Sequence, residues 1–446
     1  MEKIINAYET VLNILGKPKK SDSGYRLMKY CVPLQIEGGT LLFHVLTREM
    51  LLLTSAEYKE MLELDYLREH WFVIPEKLDE KQYTDLVRWA LKNAQKKAKY
   101  ITKYTILTTT DCNARCFYCY EKGYKKYPMS EETARKTADF IKANCGGKKV
   151  HISWFGGEPL YNPEAINIIC SKLQAAGIKY QSSMVSNGYL FDDQMVEKAV
   201  DHWKLQNVQI TLDGTEDVYN RSKAFIYREG SAYKRVLSNI ERLLNADISV
   251  VIRMNMDLKN AEDLLNLTDE LVEIFRDKRK PRVYAHLIFD DEKSWVETYT
   301  GEELTKLYHV LEQLEEKFDT QGFSTESKKG IRRHLKLSHC MADSGSSLVI
   351  TPDGHLGLCE HFAESELIGH IDSPERDKMM IESWKQWRDE LPECGECFYY
   401  PECVRLKKCT GHGECFELEQ NRIRKRTERA MRNELLYWKI KQSRSK

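Results

Sequence analysis

The 446-residue sequence carries no surplus of charge: Lys+Arg and Asp+Glu each count 68, for a formal net charge of +0. That balance argues against a nucleic-acid partner, which would call for a basic footprint. No stretch approaches the ~20 consecutive apolar residues that cross a bilayer. The opening MEKIINAYETVLNILGKPKK lacks an apolar run followed by a small-residue cleavage site. The expectation is therefore a cytoplasmic protein with no membrane partner. Internal repeats and low-complexity tracts are also missing. Hydrophobic residues, at 42%, suffice for sizeable cores and exclude wholesale disorder. The length predicts two or three domains rather than one.

What the chain does have is thirteen cysteines. An odd number in a reducing compartment points away from disulfides and towards metal binding, decided by spacing. Cys112, Cys116 and Cys119 form one cluster, and Cys340, Cys359, Cys394, Cys397, Cys403, Cys409 and Cys415 a second. Cys31, Cys145 and Cys170 stand alone and read as small buried hydrophobes.

Between residues 100 and 290, short β-rich runs alternate with helical stretches. The strands are expected at 104–109, 150–155, 180–185, 208–212, 248–254 and 282–288, with helices such as 130–144, 192–200 and 232–245 between them. Alternating βα units imply an α/β fold with a parallel sheet, open or curled into a barrel, with its chemistry on loops at the carboxyl ends of the strands. DCNARCFYCY, GGEP, SNG and DG follow the first four strands in turn. The expected organisation is a small α+β module at 1–99, the core at 100–290, a helical connector at 291–335, a cysteine-rich domain at 336–420 and a basic, solvated helical tail at 421–446.

Three thiolates on one short loop can each hold one iron of a [4Fe–4S] cluster and leave a fourth iron open to a ligand. CNARCFYC resembles the CxxxCxxC signature of radical SAM enzymes, including the aromatic Tyr118 before the third cysteine. In that family the open iron binds S-adenosylmethionine (SAM), which is cleaved by one electron to a 5′-deoxyadenosyl radical that abstracts hydrogen. The resemblance implies a partial (β/α)6 TIM-like barrel. It also implies SAM contacts from Tyr118, from Gly156, Gly157 and Glu158 of the GGEP motif (the carboxylate meeting the methionyl ammonium), from Ser186 and Asn187, from Asp213, and from Arg253.

The C-terminal cysteines resemble the SPASM domain, an iron–sulfur extension of radical SAM enzymes. By that resemblance Cys340, Cys359 and Cys409 hold a first auxiliary [4Fe–4S] cluster, and Cys394, Cys397, Cys403 and Cys415 a second. The Cys403-x5-Cys409 spacing departs from the usual x3. The first set is one thiolate short, since residues 341–358 contain no cysteine. TPDGHLGLCEHF resembles a segment of anaerobic sulfatase-maturating enzymes in which the residue after the second cysteine is a basic aspartate. Here Glu360 stands there, a candidate general base.

The implied activity is a peptide-modifying oxidoreductase. It would abstract hydrogen from a peptide or protein substrate and form an intramolecular thioether or carbon–carbon link in a ribosomally made peptide. The N-terminal module would recognise a leader segment, and a flavodoxin- or ferredoxin-type donor would supply electrons. Alternatives are oxidation of Cys or Ser to formylglycine and a non-catalytic iron–sulfur electron carrier. RNA modification is disfavoured by the neutral charge.

Overall fold

The computed structural model describes residues 1–444 other than 19, 95–97, 124, 289–294, 324–329, 339, 363–364 and 410–414. The first six strands are β1 (Glu2–Ile5), β2 (Tyr25–Leu27), β3 (Cys31–Ile36), β4 (Gly39–His44), β5 (Met50–Leu53) and β6 (Val73–Pro75). β1, β5, β4 and β3 form an antiparallel sheet in that order, and β2 pairs with β6. A helix at Glu80–Ala94 closes this part of the chain.

Six strands then run parallel and in sequence order: β7 (Lys103–Leu107), β8 (Val150–Phe155), β9 (Tyr180–Ser186), β10 (Leu205–Thr211), β11 (Ser249–Met256) and β12 (Arg282–Leu287). Each of the six strands expected from sequence is present, joined by helical crossovers to the next. This is a partial (β/α)6 barrel in which β7 and β12 do not pair with each other. The period-two pattern explains it. In β8, Val150, Ile152 and Trp154 are buried while the intervening residues are half-exposed. Outward-facing apolar residues pack under the helices, and polar ones such as Gln209, Thr211 and Arg253 are left to line the interior. Helix starts follow sequence signals, with Ser130, Asp192 and Ser231 each accepting a backbone N–H one turn ahead.

The cysteine-rich segment is not a detached unit. Its strands β13 (Ser347–Ile350), β14 (His355–Gly357) and β15 (Gly369–His370) extend the same sheet beyond β7, giving nine strands. β13 lies parallel to β7, and β14 and β15 follow antiparallel. Of the expected connector, a helix at Gly301–Thr320 packs on β12. Its flanks at 291–294 and 324–329 lie outside the described residues.

Two further expectations change. The N-terminal module shares one hydrophobic core with Phe398, Tyr400, Met431 and Leu435, so it docks onto the C-terminal region rather than standing apart. The tail, expected to be solvated, is a helix at Glu417–Arg444 held along one side. Arg422 pairs with Glu315 at 2.8 Å and Arg429 with Asp319 at 2.7 Å, while Met431 and Leu435 are buried. Lys425 adds a third tie to the same helix, Gly301–Thr320, pairing with Glu312 at 2.8 Å. No described helix is long and apolar enough to cross a membrane.

Candidate active site

At the carboxyl ends of the barrel strands lies a cavity of about 380 Å³. Cys112, Cys116 and Cys119 line it together with Tyr118, Gly156, Gly157, Ser186, Asn187, Arg253 and Glu360. Residues far apart in sequence thus meet in one place because every strand delivers its following loop to the same end. Among the described residues, no three His, Cys, Asp or Glu side chains converge to hold a single metal ion. The three thiols line the cavity.

Cys112 Sγ accepts the backbone N–H of Ala114 at 3.3 Å and the amide of Asn187 at 3.7 Å. Burial pushes the Cys112 thiol up to about 12, with Glu158 adding to the shift, and the Cys119 thiol up to about 11, with Glu121 adding. Thiols so placed need a cationic centre to ionise against, which suits an iron–sulfur group and its open position.

The glycines of GGEP serve close approach. A Cβ on Gly156 would sit 2.2 Å from the Thr109 carbonyl, and one on Gly157 2.3 Å from that of Asp111. Gly156 also has φ +120°, which favours glycine. The second and third residues of the motif bind the cysteine loop itself, Gly157 N to Thr109 O and Glu158 N to Asp111 O, each at 3.0 Å.

Glu158 departs from expectation. Its carboxylate is fully buried, and Glu158 is not among the residues that line the cavity. It accepts Ser186 Oγ at 2.9 Å, Asn187 N at 2.8 Å and Leu160 N at 3.1 Å. Burial raises its carboxyl to about 7 against those hydrogen bonds. Glu158 thus holds the loop at 186–187 in place. Ser186 and Asn187 do line the cavity, and Asn187 also bonds Asn113 at 2.6 Å.

Asp213 likewise acts at one remove. It is almost fully buried, accepts the Tyr118 hydroxyl and Asn255 N, and pairs with Lys223 at 2.8 Å. Lys223 is itself buried, lines the cavity and donates to Tyr118 and Thr211. Burial pulls its ammonium down, but Asp213, Cys116 and Tyr219 together outweigh that and raise it above the ordinary lysine value. Arg253 reaches the cavity with Asn255 as partner at 2.8 Å and no carboxylate among the described residues. It remains suited to a ligand carboxylate.

Sequence reasoning missed Lys223, Tyr120 and His361. The Tyr120 and His361 rings are 4.4 Å apart on the cavity wall. Gln209, Thr211 and Asn255 were also missed, although their polar positions between buried apolar ones were the signal for them.

The remaining cysteines separate into two groups. Cys340, Cys359 and Cys409 lie within each other's electrostatic reach, and burial raises the Cys340 thiol to about 11. Cys359 precedes Glu360, so this group adjoins the cavity. Burial raises the Glu360 carboxyl as well. Cys394, Cys397, Cys403 and Cys415 line a separate cavity of about 500 Å³. Cys31, Cys145 and Cys170 are buried in the hydrophobic cores.

Residues 106–271 match the family model of the radical SAM superfamily. A probable GTP 3′,8-cyclase of Archaeoglobus fulgidus is 23% identical over 265 residues, covering 59% of this chain and 81% of that protein. The sporulation killing factor maturation protein SkfB of Bacillus subtilis is 25% identical over 167 residues, 37% of this chain and 38% of that one. Among solved structures, native anSMEcpe with bound AdoMet and Kp18Cys peptide is similar with a TM-score of 0.57 at 15% identity, covering 76% of this chain and 99% of that one. Streptococcus suis SuiB bound to precursor peptide SuiA is similar with a TM-score of 0.51 at 12% identity, covering 85% and 94%. At such identities these structures share the fold.

Proposed function

We propose that this chain, which carries a radical SAM domain over residues 106–271, is a peptide maturase that abstracts hydrogen from a peptide or protein and forms an intramolecular thioether or carbon–carbon link. One observation carries the reading. Glu360, from the cysteine-rich segment, lines the same cavity as Cys112, Cys116 and Cys119. A substrate held there would touch both the site of hydrogen abstraction and the edge of an auxiliary site.

When bound, SAM and its cluster supply one-electron cleavage and hydrogen-atom abstraction. The chain's own groups do the rest. Cys112, Cys116 and Cys119 would hold the SAM cluster. The Gly156–Gly157 backbone, Ser186, Asn187 and Arg253 would bind the methionyl end of SAM, with Tyr118 fixed beside them by Asp213 and Lys223. Cys340, Cys359 and Cys409 would hold one auxiliary [4Fe–4S] cluster, with a position left for a substrate thiolate. Cys394, Cys397, Cys403 and Cys415 would hold the other. The Glu360 carboxylate would take the proton released as the substrate is oxidised. The N-terminal module would recognise a leader segment, and a flavodoxin- or ferredoxin-type donor in the cytoplasm would supply the electron.

The names of SkfB and of SuiB with its precursor peptide support a peptide substrate. The likeness to anSMEcpe keeps formylglycine formation as the second reading, since Glu360 suits that chemistry equally well. A bare electron carrier would have no use for a cavity lined by Gly156, Asn187 and Arg253.

The test is anaerobic incubation with SAM, reductant and the short peptide encoded beside the gene, read by mass spectrometry. A loss of two mass units without an aldehyde that traps hydrazide supports the cross-link. An aldehyde product would establish the second reading instead.

A further inference from the structure

The second auxiliary group is not supported from its own segment alone. Between Cys397 and Cys403 the chain makes a single 3₁₀ turn, Tyr400–Glu402. The last carbonyls of so short a helix have few partners within it, the Tyr400 carbonyl accepting Cys403 N at 3.2 Å. They are met by a residue 312 to 315 positions away in the chain. Arg88, on the helix Glu80–Ala94 and almost fully buried, donates from Nη1 to the carbonyls of Tyr400, Pro401 (3.3 Å) and the candidate ligand Cys403 (2.8 Å). Its guanidinium lies over the rings of Trp387 at 4.9 Å and Tyr400 at 4.6 Å, which fix its plane. A second tie, the buried pair Arg48–Glu402 at 2.8 Å, joins the same turn to the N-terminal sheet. Arg48 and Glu402 balance each other's charge. Arg88 has no ion pair among the described residues, although Glu390 lies within its field.

We infer that Arg88 is a positioning residue through which the N-terminal module shapes and electrostatically poises the second auxiliary iron–sulfur site. The inference rests on the reading of Cys394, Cys397, Cys403 and Cys415 as cluster ligands. A cluster held by four thiolates is anionic, and its potential depends on nearby charge, hydrogen bonds and solvent. A cation buried under the ligand loop favours the reduced form. The module would thus have a second role besides any contact with substrate: it sets how readily this cluster accepts an electron.

The experiment is a redox titration of anaerobically reconstituted full-length protein, followed by electron paramagnetic resonance, with iron counted in the same samples. Wild type, Arg88→Lys and Arg88→Met are compared, and circular dichroism confirms folding. Arg88→Met should move one auxiliary potential to more negative values with an altered signal, or lose about four of twelve irons. Arg88→Lys, which keeps the charge, should retain most of the wild-type potential. A folded Arg88→Met protein with full iron, an unchanged potential and an unchanged signal overturns the inference. Equal shifts in the two variants overturn the electrostatic part and leave only a packing role. Wild-type protein holding about four irons would remove the underlying cluster assignment, an outcome separate from the other two.

Discussion

Lys223 and Asp213 form an ion pair at 2.8 Å with both side chains at most 2% exposed, directly behind the tyrosine that separates two candidate cluster cysteines. The Lys223 backbone carbonyl also accepts Arg115 N at 2.9 Å, so the end of the helix Glu216–Lys223 is fastened to the cysteine loop. Buried pairs of this kind are costly to break singly, because the survivor is an uncompensated charge. Asp213→Asn should destabilise the protein by about 3–5 kcal/mol. Asp213→Asn combined with Lys223→Met should recover a good part of that loss. Urea unfolding of the two variants checks the order.

Glu158 holds the 186–187 loop through Ser186 and Asn187. Glu158→Gln keeps the size but presents an N–H₂ group to donors that need an acceptor. Losing hydrogen bonds to a charged group costs about 1.5–3 kcal/mol each. SAM binding should therefore weaken by about 10- to 100-fold, measured by equilibrium dialysis on reconstituted protein. Unaltered SAM affinity would free Glu158 of the loop-holding role.

The three cysteines at 112, 116 and 119 should be separable from the rest. Changing them together to Ala should abolish 5′-deoxyadenosine formation and lower iron from about twelve to about eight per chain. Retained SAM cleavage would refute the cavity as the site of that reaction.

For Glu360→Gln, SAM cleavage should persist while modified peptide falls by about 10²-fold or more, the scale of a lost general base. Chromatography of 5′-deoxyadenosine beside mass spectrometry of the peptide reads both. Equal losses in both would make the carboxylate part of the SAM pocket.

His44 supplies a pH dependence far from the cysteines. It is fully buried in β4, its Nε2 donates to Trp71 O at 3.1 Å, and Nδ1 accepts Leu46 N at 3.3 Å. Burial lowers its pKa to about 3, with the backbone hydrogen bond opposing the shift. A base with a depressed folded pKa contributes fully above its unfolded value near 6.5 and loses that contribution as pH falls towards 3. At about 1.4 kcal/mol per unit, up to ~5 kcal/mol is at stake. Melting temperatures should fall more steeply below pH 6.5 in wild type than in His44→Gln. Parallel pH curves would contradict the assignment.

The parts legible in the sequence were those with local cause. Val150, Ile152 and Trp154 alternate with polar neighbours and so announce a strand. Ser130 and Ser231 announce helix starts. The cysteine triplet sits immediately after the first barrel strand, where the βα rule puts chemistry. What stayed hidden depends on partners distant in sequence. Lys223 ends an ordinary-looking charged helix, and only the approach of Asp213 makes it a buried cation. Glu158 reads as a ligand because glycines precede it, yet the backbone turn aims it inward at Ser186. The docking of the N-terminal module needs Phe398, Tyr400 and Met431, none of which carries a local sign of contact with residues before 100. The tail looked solvated because its partners, Glu315 and Asp319, lie far back along the chain.

The parallel pairing of β13 beside β7 makes the cysteine-rich segment inseparable from the barrel in a practical sense. β7, whose end bears the cysteine triplet, has neighbours on both sides and no open edge. Ending the chain before residue 347 would strip one side of that strand and leave a row of unpaired backbone groups beside the cysteine loop. Such an edge recruits other chains. The barrel cut off at that point should then be recovered as aggregates.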